Sequence, residues 1–197
     1  MASSSRDRPE RAAPSEADAH GLRSIQGTAG SADEDPMSQR LAFELSFESL
    51  AGLISPARRF VEETVERIVH DPEDVFRVAM TAHELLENAV KYGRGKMTTL
   101  SVSIAPVDGV MNATLRLTNQ AGPSDIERLQ SGVVALRDSP RPVDYYRDLM
   151  CRDPGAPGES GLGLARIVVE GEMKLVSEVE GQNVTITASG RLNGGKR

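Results

Sequence analysis

The sequence has no tryptophan, four phenylalanines, three tyrosines and a single cysteine, Cys151, in 197 residues. So few aromatic rings leave no platform on which nucleic-acid bases could stack. A lone cysteine forms no internal disulfide and lacks the neighbours of a structural zinc site, which suits a reducing compartment. No run approaches the roughly 18 uninterrupted apolar residues of a membrane span, and the opening MASSSRDRPERAAP has no apolar core resembling a secretory signal. The formal net charge of −6 argues against nucleic acid, whose phosphates are usually met by clustered Lys and Arg. These absences predict a cytoplasmic protein with one folded domain and neither nucleic acid nor membrane as partner.

Residues 1–36 are rich in Ser, Ala, Asp, Glu, Arg and Pro with scattered apolar positions. They bury too little to offset the entropy of ordering, so they read as a disordered tail ahead of a domain over residues 37–192, with 193–197 as a short C-terminal tail. Phe43, Leu45 and Phe47 alternate with Glu44, Ser46 and Glu48 as in a half-buried strand. Phe60, Val61, Thr64, Val65, Ile68 and Val69 recur at helical spacing. Asp71-Pro72-Glu73-Asp74 supplies a cap, a first-turn proline and acidic residues, so a second helix begins near residue 72 and runs to Gly93. Two alternating runs around the Pro106–Gly109 turn predict a hairpin; residues 123–151 read as two helical pieces broken at Ser139–Pro142. A glycine- and proline-rich loop from Asp153 to Gly163, a helix, and two strands turning near Gly181 complete the chain. This order predicts an α+β two-layer sandwich, with a mixed, mostly antiparallel sheet covered on one face by helices.

Two segments carry chemistry. On the second helix Glu84, Asn88 and Lys91 are four and three residues apart, so a carboxylate, an amide and a cation share a face, on the far side from the Val78/Ala82/Leu85/Ala89 stripe. Such a face is as often plain solvated surface. The second segment, Gly158-Glu159-Ser160-Gly161-Leu162-Gly163-Leu164, precedes an apolar helix. Free N–H groups and the positive dipole end at a helix start attract phosphate, and glycine permits close approach, although glycines also simply make turns.

Taken together, HELLENAVKYG (residues 83–93) resembles the N box, and GESGLGLARIV (residues 158–168) the second glycine box, of the histidine-kinase-like (Bergerat, GHKL) ATP-binding domains. That family includes gyrase-type ATPases, ATP-dependent chaperones, histidine kinases and anti-sigma-factor serine kinases. The resemblance covers roughly residues 40–190 and implies ATP and Mg²⁺ as cofactors. It implies that Asn88 coordinates the Mg²⁺ bridging the phosphates, that Glu84 is the catalytic carboxylate, and that Lys91 offsets phosphate charge or is merely solvated. Gly158, Ser160, Gly161, Leu162, Gly163 and Leu164 would form the phosphate-side lid, and Thr185 a further nucleotide contact. The first glycine box departs from the family: Leu117-Thr118-Asn119-Gln120-Ala121-Gly122 puts Asn119 where an Asp accepts from the adenine amino group, and Ala121 at the first glycine. Asn119 keeps an acceptor oxygen, but it is neutral and its amide hydrogens oppose the same donor, which bears on affinity and base preference.

His70 and His83 lie at helical positions without a preceding dimerisation hairpin, and His20 lies in the tail, so none reads as a phospho-acceptor. Tyr145, Tyr146, Leu149 and Met150 read as lid or core packing, or as a partner surface. A stand-alone domain of this kind most resembles bacterial anti-sigma-factor and partner-switching kinases. The resemblance therefore implies an ATP-dependent serine/threonine kinase acting on a small antagonist or sigma-factor-like regulatory protein, with a homodimer also open. The altered first glycine box favours an alternative, a protein-binding regulatory module with weak or lost nucleotide binding; an ATPase without a protein substrate is a third reading.

Overall fold

Strict alternation makes the first strand, β1 (Leu41–Glu48): Leu41, Phe43, Leu45 and Phe47 are half-buried while the residues between them are exposed. The computed structural model describes residues 40–94, 97–151 and 161–193. A short 3₁₀ turn leads into α1 (Ile54–Val65) and then α2 (Pro72–Tyr92). The Asp71 carboxylate accepts from the backbone N–H groups of Glu73 and Asp74 at 2.9 and 3.2 Å, with Pro72 in the first turn. Gly93 ends α2 where a Cβ would run into the Ala89 carbonyl oxygen.

β2 (Met97–Val107) and β3 (Val110–Gln120) form the expected hairpin about Asp108-Gly109, whose φ angles of 51° and 74° suit a tight two-residue turn. α3 (Pro123–Asp138), α4 (Pro142–Met150) and α5 (Leu162–Val169) follow, then β4 (Lys174–Glu180) and β5 (Asn183–Arg191). The five strands run in the order β1-β2-β3-β5-β4 and every pairing is antiparallel, so the parallel element allowed by a mixed sheet does not occur among the described residues.

Leu100, Ile104, Leu115, Leu117 and Ile186 project from one sheet face against Val78, Ala82, Leu85 and Leu86 of α2 in a single core. Burying each large side chain there stabilises the fold by roughly 1.5–3 kcal/mol. The opposite face carries hydroxyls and charges: Ser46–Thr99 and Thr118–Thr185 pairs at 2.9 Å, and Arg116–Glu178 at 2.6 Å. That division is the two-layer sandwich. Among the described residues no helix is long and apolar enough to cross a membrane.

Candidate functional site

α2 carries, beside its apolar stripe, a polar row at helical spacing: Asp74, Arg77, Thr81, Glu84 and Asn88. The sequence placed Glu84, Asn88 and Lys91 on a face away from the core, yet Glu84 is buried together with Asp74, Arg77 and Thr81, because α5 and the turn after it lie across them. Glycine makes that approach possible. A Cβ on Gly163 would stand 2.8 Å from Glu84 Oε2 and 3.5 Å from Asn88 Nδ2, and one on Gly171 would stand 2.9 Å from Thr81 Oγ1. Arg77 pins the far end: Nη1 donates to Asp74 at 2.9 Å, Nε to the Gly171 carbonyl at 3.0 Å, and Nη2 pairs with Glu172 at 3.0 Å.

The structure thus brings together Glu84, Asn88, Gly161, Gly163 and Leu164 across 80 residues of sequence, and all but Asn88 and Glu84 sit at the start of α5. Glu84 is 7% exposed. Burial raises its carboxyl above the ordinary range, and the hydrogen bond from Arg166 (Nη1 to Oε1, 2.8 Å) works in the opposite direction. Arg166 also donates from Nε to Glu170 Oε2 at 2.8 Å, and the Tyr146 hydroxyl donates to Glu170 Oε1 at 2.6 Å. Arg166 and then Tyr146 hold Glu170 below the usual carboxylate range; burial, then Glu170, pushes the Tyr146 phenol up to about 12.

Asn88 Nδ2 is buried with no hydrogen-bond partner among the described residues. An orphaned amide N–H of this kind costs about 1–3 kcal/mol; as a donor it suits an oxygen acceptor such as a phosphate, while the amide oxygen is the atom a hard cation could take. No three His, Cys, Asp or Glu side chains converge as a metal cage among the described residues. The amide oxygen of Asn88 is a ligand that a hard, largely hydrated cation could take. The base side fits less well. Asn88, Tyr92, Asn119, Ala121 and Asp125 line a cavity of about 10 Å³ between α2, α3 and the sheet. That is room for about one water, whereas a nucleotide-sized ligand needs several hundred Å³. Asn119 lines this cavity and donates to the Ala89 and Gln120 carbonyls at 3.5 Å.

Other expected contacts lie elsewhere. Lys91 is exposed, its Nζ 5.3 Å from the Tyr92 ring centroid. Leu162 is exposed, while Leu164 is buried against the cleft. Thr185 points to the uncovered sheet face and bonds to Thr118, because its neighbours Val184 and Ile186 point inward. Gly158 and Ser160 lie outside the described residues. Sequence reasoning assigned no role to Arg166, Glu170 or Asp125. The i, i+4 spacing of Arg166 and Glu170 on one helix was the available signal for that pair; Arg166 meeting Glu84 across 82 residues had none.

No family model matches this chain, and no curated protein matches it either. Among solved structures it is similar to a chain of the crystal structure of the SiaB–SiaC complex from Pseudomonas aeruginosa, with 14% sequence identity and a TM-score of 0.55. The match covers 76% of this chain and 89% of that one. At this identity the likeness is one of fold.

Proposed function

We propose that this protein binds Mg-ATP where α5 meets α2 and phosphorylates a Ser or Thr on a small regulatory partner protein. The observation that carries the reading is the contact of Gly163 with Glu84 and Asn88, which sets a carboxylate and an orphaned amide beside a glycine-started helix. When bound, Mg-ATP would supply the γ-phosphoryl group, with Mg-ADP as the leaving group. Asn88 would hold the cation through its amide oxygen. Glu84 would orient the partner's hydroxyl and take its proton. The N–H groups at the start of α5 would face phosphate, and Asn119 with Asp125 would border the base. The structural neighbour is itself a complex of two proteins, which supports a protein partner.

A second reading rests on the Glu84–Arg166 pair and the water-sized cavity beside Asn119: a partner-binding regulatory module with weak or lost nucleotide binding. Titration calorimetry separates the two. Mg-dependent ATP binding that is lost in Asn88→Ala and retained in Glu84→Ala supports the kinase. Absence of binding to the wild type at millimolar nucleotide overturns it and leaves the binding module.

A further inference from the structure

Glu84 is the inner end of a chain of side-chain hydrogen bonds that runs out to α4. Arg166 grips Glu84 Oε1 with Nη1 and Glu170 Oε2 with Nε, both at 2.8 Å, and Tyr146 holds the other Glu170 oxygen at 2.6 Å. The chain is graded in depth. The Glu84 side chain is 8% exposed, while those of Arg166 and Glu170 are 38% and 36% exposed. Both Glu170 oxygens are engaged, so the guanidinium cannot swing off Glu84 without disturbing a carboxylate that α4 also holds. One Glu84 oxygen is thereby fixed, and the other, Oε2, is left on the side of Gly163 and Asn88. This is the arrangement of a proton acceptor aimed by its neighbours.

We propose that Arg166 is a positioning residue for Glu84, and that Tyr146, acting through Glu170, keeps it in place, so that α4 sets the readiness of Glu84 to accept a proton. The functional meaning rests on Glu84 being the base in the reaction proposed above; the linkage itself does not. Among the described residues, the charged or titratable groups facing Glu84 are His83 and Glu87 on its own helix, Arg166 on α5 and Tyr146 on α4. His83 and Glu87 pair with each other at 3.2 Å on the outer side of α2. Arg166 gives the larger offset to the burial of Glu84, ahead of His83, and its planar guanidinium fork holds two carboxylates in a fixed geometry that a lysine ammonium on a flexible stem does not impose.

The test is an NMR titration of the Glu84 side-chain carboxyl in the full chain without nucleotide, for wild type, Arg166→Met, Arg166→Lys and Tyr146→Phe. The carboxyl is expected to titrate at higher pH in Arg166→Met than in wild type. It should move in the same direction, by less, in Tyr146→Phe, which removes one hydroxyl. Adding Tyr146→Phe to Arg166→Lys should produce no further movement, because the bridge is already broken. A Glu84 titration unchanged in folded Tyr146→Phe overturns the linkage, and this variant decides the matter alone should Arg166→Met fail to fold. Calorimetry on the same samples keeps the two claims apart. Glu84 moving in a protein that binds no Mg-ATP leaves the linkage standing and removes the kinase. Mg-ATP binding with an unmoved Glu84 does the reverse.

Discussion

Replacing Gly163 with alanine sets two effects of known sign against each other. Gly163 lies within α5 at negative φ, and Gly→Ala in a helix ordinarily stabilises by about 0.5–1 kcal/mol. The new Cβ, however, would stand 2.8 Å from Glu84 Oε2 and 3.8 Å from its Cδ. A free side-chain end would move aside, but this carboxylate is buried and its other oxygen is held by Arg166 at 2.8 Å. Overpacking of this kind costs about 1–3 kcal/mol. The clash should therefore win, with a net loss of about 1 kcal/mol, roughly a five-fold fall in the folded-to-unfolded ratio. Gly132→Ala in α3 is the internal control. Its Cβ would meet only Leu164 Cδ1, at an ordinary 3.5 Å, so it should gain the full increment of about 0.5–1 kcal/mol. Urea unfolding reads both as midpoint shifts of opposite sign at constant slope. Equal stabilisation of the two variants would refute the close docking of α5 on Glu84.

Two further perturbations probe the same polar row. Arg77→Met removes the guanidinium that bonds the fully buried Asp74 carboxylate and the Gly171 carbonyl, so unfolding measurements should show a loss of about 1.5–3 kcal/mol, whereas Glu172→Gln, changing the exposed partner, should cost less than about 1. A loss in Arg77→Met no larger than in Glu172→Gln would contradict the buried anchor. Burial raises the folded Glu84 carboxyl above its ordinary value of 4.5, so its contribution to stability is fully present below that pH and is lost as pH rises through the folded value. Glu84→Gln lacks this titration, and its stability relative to wild type should rise as pH increases above about 4.5. A difference that stays flat with pH would exclude the raised carboxyl.

Much of the fold was legible because its signals are local. The alternation in Leu41–Glu48, the Asp71-Pro72 start of α2 and the Asp108-Gly109 turn each act within a few residues. Thr185 could also have been placed from sequence, since the inward Val184 and Ile186 force the residue between them outward. The polar row on α2 was different. Helical period shows that Glu84 and Asn88 share a face, but not that a distant helix covers it. The covering depends on Gly163 and Gly171 recurring at the spacing that lets α5 settle on α2, and glycine spacing reads equally well as turn or contact until the partner is known. For the same reason the closeness of Arg166 and Glu84 emerges only from the fold.

The proposed Mg-ATP site lies where the start of α5 meets the inner turns of α2. A Mg-ATP titration of the isotope-labelled protein followed by amide NMR tests it. Saturable shifts are expected at Asn88, Gly161, Gly163 and Leu164, extending to Asn119 and Ala121, and absent in Asn88→Ala. Shifts confined to the hydroxyl-bearing face of the sheet, or none at all at millimolar nucleotide, would contradict it.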